Sequence, residues 1–178
     1  MDEVKEKTLY DKFAFCALIF WFSGVFGFIY EELFYRIDLG YFVKRGTTFG
    51  PWIPIYGFGG VLIFLLSQRF KRFPPAVFAL SALISGALEF ATCYVIYEIR
   101  HTRLWDYNTE MWNWGNVGGF ICARSVIFFG ASGLILLYAV KPIMENVKKR
   151  ISDKAFAAAA LAPASLFVLD LCLALSLK

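Results

Sequence analysis

Residues 45–60 read RGTTFGPWIPIYGFGG and lead directly into the apolar residues 61–66. Proline is tolerated in the first turn of a helix, because the N–H that it lacks would have no partner there. Pro51 and Pro54 therefore predict the start of a helix, and Trp52 between them suits the headgroup level of a bilayer. The glycines that follow let a second helix approach closely. This stretch predicts the entry into a membrane-crossing helix.

The composition of the whole chain agrees with a membrane protein. Of 178 residues, 59% are hydrophobic and only 18% are charged, whereas soluble domains are usually about a quarter charged. The apolar stretches are Phe13 to Tyr30, Ile53 to Gln68, Pro74 to Tyr97, Val117 to Ile143 and Ala155 to Leu177. They predict an all-α integral membrane protein, a bundle of about five transmembrane helices in which the second helix is short.

Basic residues predict the orientation of the chain. With five spans, one side of the membrane carries eleven Lys and Arg within 1–12, 69–73 and 141–154. The opposite side carries six, and Arg124 falls within a span. The positive-inside rule then places the amino terminus, as a cytosolic segment of residues 1–12, inside and the carboxyl terminus outside.

Tryptophans predict a folded feature on the outer side. Trp52, Trp105, Trp112 and Trp114 all fall there, although aromatic belts usually line both faces of a bilayer. This excess predicts an ordered, aromatic-rich outer cap.

Three ionisable residues, Glu89, Arg124 and Asp170, interrupt the predicted spans. At 1.5 Å per residue, each would lie about 10–12 Å below the outer boundary. Buried charges find partners, so we expect Glu89 and Arg124 to meet. They could form the floor of an outward-open polar pocket, or a buried pair that only fixes helix register. For Asp170 the structural role is favoured.

Several classes of function are disfavoured. The net charge of +4 is not clustered as nucleic-acid binding would require. His101 is the only histidine and has no second ligand nearby, which disfavours a metal site. Hydrolase, metalloprotease and phosphate-loop signatures are missing. We therefore assign no catalytic residue and no cofactor.

Three motifs carry a family resemblance: FVKRGTTFGPWIPIYGFGG (42–60), LWDY (104–107) and GNVGGFIC (115–122). They resemble the CmpB-like family of type IV ABC-transporter membrane proteins. The resemblance covers residues 13–145, a four-helix membrane domain, and leaves 146–178 as a basic link and a fifth helix.

The resemblance implies a set of site residues on the predicted outer side. The family's first glutamate matches Glu31 or Glu32. Phe120 stands where the family often has arginine, and Arg124 follows one turn later, on the face that residues four apart share. The ligand-binding candidates are Glu31, Arg45, Trp52, Tyr56, Glu89, Trp105, Asp106, Tyr107, Asn116 and Arg124.

Three functions are compatible with these features. The first is a permease-type subunit that binds a small molecule or lipid headgroup in the outer pocket and works with a separate ATPase. Its few helices would then require a partner or a homo-oligomer. The second is a non-transporting ligand-binding or scaffold protein, and the third an intramembrane enzyme that uses Glu31, Glu89 or Asp106. The basic residues 141–154 suit contact with anionic lipid or with the ATPase.

Overall fold

The computed structural model describes residues 2–177, with side chains from residue 10 onward. Apart from one isolated bridge, Val117–Ile121, every regular element in this part of the chain is helical. A single 3-10 turn, Gln68–Phe70, follows the second helix, and a π-helical segment, Leu136–Val140, joins the fourth to the fifth. The α-helices are α1 (Asp2–Leu39), α2 (Pro54–Ser67), α3 (Pro74–Arg100), α4 (Ala123–Ile135), α5 (Lys141–Arg150) and α6 (Asp153–Ser176).

Four helical segments are long and apolar enough to cross a membrane. They are Tyr10–Leu39, Pro74–Arg100, Ala123–Arg150 and Asp153–Ser176. Helix α2 has 14 residues and is about 21 Å long, less than a bilayer core of about 30 Å. The second predicted stretch is therefore a helix, but it is not one of these four.

Helix α1 is longer than its apolar stretch. It ends only before Gly40, whose φ is +82° and whose N–H donates to the Arg36 carbonyl at 3.2 Å. No glycine or proline precedes this point after Gly27, so the helix continues through polar residues. The first apolar stretch was predicted to end at Tyr30, just before Glu31 and Glu32, whereas the helix runs on to Leu39, so both glutamates lie about two turns before its end.

Helix α4 begins later than its apolar stretch. Gly115, Gly118 and Gly119 have φ values of +68°, +60° and +80°, which no α-helix can contain. The helix therefore starts at Ala123 instead of Val117. Arg124 lies in its first turn, so the depth predicted for Arg124 from a start at Val117 is wrong.

The chain folds as two compact units, and the sequence of the second unit lies between the two parts of the first. The first lies within Met1–Val61 and Ile143–Lys178, and the second is Leu62–Pro142. In the first unit α1 packs against α6, around the buried side chains of Ala14, Phe156 and Ala160. In the second, α3 packs against α4.

Candidate functional site

The loop between α1 and α2 is held by a carboxylate of α6. Asp170, only 8% exposed, accepts hydrogen bonds from the Phe49 N–H at 2.9 Å, the Gly50 N–H at 3.0 Å and Trp52 Nε1 at 2.7 Å. Three donors stabilise a charge that would otherwise be costly to bury. Asp170 thus has the structural role favoured for it, and the loop has a fixed conformation around Trp52.

The same unit joins Glu31 to Arg45. Arg45 Nε donates to Glu31 Oε2 at 2.7 Å, and the guanidinium lies 4.0 Å from the centroid of the Tyr35 ring. Both side chains of the ion pair are mostly buried. We call Glu31, Arg45, Trp52 and Asp170 the loop site.

Glycines bring α1 and α2 together beneath this loop. The Ile53 N–H donates to the Gly24 carbonyl at 3.0 Å. A Cβ at Gly27 would collide with the Tyr56 ring, and a Cβ at Gly57 would lie 2.7 Å from the Phe20 ring. The close approach predicted for the glycines of α2 is therefore present at Gly57, and Tyr56 packs against α1.

In the second unit, a buried carboxylate joins α3, α4 and the connection between them. Glu89 of α3 accepts hydrogen bonds from the Tyr107 hydroxyl and from Ser125 Oγ, the latter at 2.9 Å. Ser125 Oγ also lies 2.9 Å from the Cys122 carbonyl, so its one proton serves one acceptor at a time. Ser125 was not among the predicted residues, since a serine in an apolar helix gives no signal of its partner.

The Tyr107 hydroxyl donates a hydrogen bond to Glu89 and stays protonated. Burial, and then the negative charge of Glu89, raise the pKa of Tyr107 well above its usual value, because both disfavour the phenolate. The hydroxyl therefore keeps its proton throughout the physiological range and donates it to Glu89.

Arg124 pairs with a carboxylate that the sequence did not single out. Its Nη2 donates to Glu110 Oε2 at 2.6 Å, with side chains 12% and 6% exposed. The guanidinium carbon lies 5.6 Å from the centroid of the Tyr107 ring, so Tyr107 contacts both Arg124 and Glu89. We call Glu89, Tyr107, Glu110, Arg124 and Ser125 the carboxylate site.

The other predicted residues of the second unit hold the 101–122 connection in shape. Asp106 Oδ1 accepts from the Asn108 N–H at 3.0 Å, and Asn116 Oδ1 accepts from the Gly119 N–H at 2.8 Å. Trp105 Nε1 donates to the Phe120 carbonyl at 3.1 Å. These contacts make the connection an ordered structure beside the carboxylate site.

The aromatic side chains in and beside the connection differ in their contacts and in their exposure. The Arg103 guanidinium lies 4.5 Å from the Phe120 ring and 5.1 Å from the Tyr97 ring. Trp112 and Trp114 instead are 63% and 53% exposed.

Within the described side chains, no three His, Cys, Asp or Glu residues lie together as a metal site would require.

Comparison with known proteins gives a family for this fold. The model of the family described as "Putative ABC-transporter type IV", the CmpB family, matches residues 18–175. The chain belongs to the CmpB family. The match continues past residue 145, the predicted end of the resemblance, and includes Asp170. Together with the four apolar helices, it makes this CmpB-family protein an integral membrane protein of the ABC-transporter type. No curated protein and no solved structure matches the chain.

Proposed function

We propose that this CmpB-family protein is a permease-type subunit that binds a small polar molecule or a lipid headgroup and works with a separate ATPase. The proposal rests on the burial of Glu89. This carboxylate is 7% exposed, lies in the apolar helix α3 and accepts a hydrogen bond from Tyr107 of the connection. Ionisable groups within membrane spans are costly and usually mark substrate pathways.

The carboxylate site has both kinds of polar group that such a ligand needs. Glu89 and Glu110 supply acceptor oxygens, and Arg124 supplies donors. A zwitterionic or hydroxyl-rich headgroup presents donors and acceptors together, and so matches this set. In this proposal the 101–122 connection, with Trp105 and Tyr107, is the aromatic-rich outer cap. When the ligand binds, Glu89 gives up its hydrogen bond from Tyr107 and forms hydrogen bonds to the ligand instead.

Five crossings follow if α2 spans the bilayer with the 3-10 turn that extends it. The 14 residues of α2 and the three of Gln68–Phe70 together measure about 27 Å. A small local thinning of the bilayer accommodates this length. The basic residues then place the amino terminus in the cytosol and the carboxyl terminus outside.

A reporter fused after Lys178 tests this topology. We expect the signal on the outer side, and a second reporter inserted in the 69–73 link should appear in the cytosol. A cytosolic signal from the first reporter would exclude five crossings with a cytosolic amino terminus.

In this proposal the ATPase is a separate chain, because these 178 residues contain no phosphate-binding loop motif. In the proposed topology, α5 lies on the cytosolic side with its exposed Lys149 and Arg150. These two cations are the candidate contacts for the ATPase, and anionic lipid is the alternative partner.

Purification of the tagged protein in mild detergent, followed by mass spectrometry, tests the partnership. We expect an ATPase in stoichiometric amount, and less of it with the Lys149→Ala, Arg150→Ala double variant. Arg100→Ala is the matched control, since it removes an exposed cation from the opposite side. Recovery of lipids alone, with no ATPase, would exclude the permease role.

Ligand binding is tested in the same preparations. We expect a polar molecule or lipid to be enriched with the wild type and lost from Glu89→Gln, which keeps the shape of the side chain. Ser132→Ala is the control, since Ser132 Oγ donates to the Phe128 carbonyl of its own helix. Equal retention by all three proteins would exclude Glu89 as a ligand-binding residue.

One observation favours the second hypothesis, a non-transporting scaffold. Tyr107 and Ser125 already bond to both oxygens of Glu89, as expected of a group that only joins helices. Under that hypothesis Glu89→Gln would lower the thermal midpoint without loss of any bound molecule.

A further inference from the structure

Helix α3 carries a polar stripe through the second unit. Ser81, Ser85, Glu89 and Cys93 recur at every fourth residue, and all four are at least nine-tenths buried. Residues four apart lie on one face of a helix. The stripe therefore leads from the first half of α3 to the carboxylate site.

Helix α4 covers the stripe. A Cβ at Gly133 would collide with the Ser81 hydroxyl, and Ser125 of α4 hydrogen-bonds to Glu89. These two contacts lie on either side of Ser85. The stripe thus lies at the interface between α3 and α4, away from lipid.

The serine hydroxyls of this stripe lack partners within the protein. Among the described residues, Ser81 Oγ and Ser85 Oγ are buried and make no hydrogen bond. Ser67, the last residue of α2, has a third hydroxyl of this kind. A buried hydroxyl without a partner is costly, and ordered water is the usual means by which proteins satisfy such groups.

We propose that Ser81 and Ser85 bind a file of ordered water molecules that reaches Glu89. Positions four apart on a helix are separated by about 6 Å along its axis. This separation equals about two hydrogen bonds of 2.8 Å, so one water bridges each neighbouring pair. The file hydrates Glu89 from the turn of α3 that carries Ser85, and it does not depend on the proposed permease role.

Serine-to-alanine variants distinguish water-bound hydroxyls from hydroxyls without any partner by the direction in which they change the thermal midpoint. If waters bridge the stripe, Ser81→Ala and Ser85→Ala each remove a partner of a buried water and lower the thermal midpoint in lipid nanodiscs. If the hydroxyls are orphans, the same variants remove unsatisfied groups and leave the midpoint unchanged or raise it. Ser132→Ala is the matched control, because Ser132 Oγ donates to the Phe128 carbonyl of its own helix at 2.9 Å.

Water-edited solid-state NMR of the labelled protein in liposomes measures the water directly. We expect magnetisation transfer from water to Ser81 and Ser85 that is clearly stronger than transfer to Leu83, which lies on the exposed face of the same helix. Transfer to the serines no stronger than to Leu83 would overturn the proposal, whatever the midpoints. The proposed permease role would stand or fall separately, on the ATPase and the retained ligand.

Discussion

Trp52 Nε1 donates to Asp170 Oδ2 at 2.7 Å, although 118 residues separate the two in sequence. The same carboxylate accepts the N–H groups of Phe49 and Gly50. A residue of the last helix therefore holds the loop that introduces α2. The motif around Trp52 is thus shaped by a contact that lies outside the motif.

Asp170→Ala should destabilise the protein by about 3 kcal/mol, near the upper end for a hydrogen bond to a charged group. The reason is that three buried donors lose their acceptor together. Chemical unfolding in detergent, followed by tryptophan fluorescence, measures the change. Ser176→Ala is the control, because its exposed hydroxyl bonds to the Cys172 carbonyl of the same helix. A loss no larger than that of the control would contradict the structural role of Asp170.

Arg124→Glu and Glu110→Arg should each destabilise the second unit, and the exchange variant that carries both should recover part of the loss. Breaking a buried ion pair costs about 3–5 kcal/mol, and each single reversal also leaves two like charges next to each other. Thermal midpoints of the wild type, the two single variants and the double variant give the coupling energy. Strictly additive effects would mean that the 2.6 Å pair contributes nothing specific.

Gly57→Ala should destabilise the packing of α1 against α2 by about 1–3 kcal/mol, the usual cost of overpacking. The added Cβ would lie 2.9 Å from the Phe20 carbonyl oxygen, which is backbone and cannot rotate away. At Gly24 the nearest atom to an added Cβ, Trp52 Cβ, is 3.4 Å away, so Gly24→Ala is the milder comparison. Equal midpoints for the two variants would contradict this packing.

Tyr107→Phe should make the protein less sensitive to alkaline pH. The folded protein raises the pKa of Tyr107, whereas the unfolded chain ionises it near its usual value of about 10. The stabilising effect of this group is thus fully present below that value and is lost as the pH rises through the folded pKa. The difference in tyrosinate absorbance between the wild type and Tyr107→Phe should show that Tyr107 ionises only well above its usual pKa. Ionisation of Tyr107 near its usual pKa in the folded protein would contradict its burial against Glu89.

Hydropathy predicted the helix bounds well where an apolar stretch begins or ends near residues that start or stop a helix. Helix α3 was predicted from Pro74 to Tyr97 and runs to Arg100, because proline marks its start and His101, with a φ of 53°, its end. Helix α6 was predicted from Ala155 and begins at Asp153, where Ser152 accepts from the Ala155 N–H.

The helix ends that hydropathy misplaced have a different cause. Apolar sequence marks the limit of the membrane, whereas a helix ends where its backbone conformation changes. Helix α1 therefore runs past Glu31 to Leu39, and Val117 lies outside α4 although it is apolar.

The partners of the candidate residues were less predictable than the residues themselves. The motifs pointed to Glu31, Arg45 and Tyr107, of which the first two form a mostly buried ion pair and the third a buried hydrogen bond. The pairing of Arg124 with Glu110 depends on the path of the connection, and this path is set by glycines at 115, 118 and 119 whose φ values are positive. Such backbone geometry does not follow from residue type alone.

The placement of Asp170 also imposes an order on biosynthesis. At about 5–20 residues per second, the ribosome needs about 6–24 s to make the chain between Trp52 and Asp170, which are 118 residues apart. The second unit is one continuous stretch, Leu62–Pro142, and its sequence is complete before Asp170 exists. The unit that contains Trp52 is therefore begun before the second unit and completed after it, because its loop waits for an acceptor that is translated later.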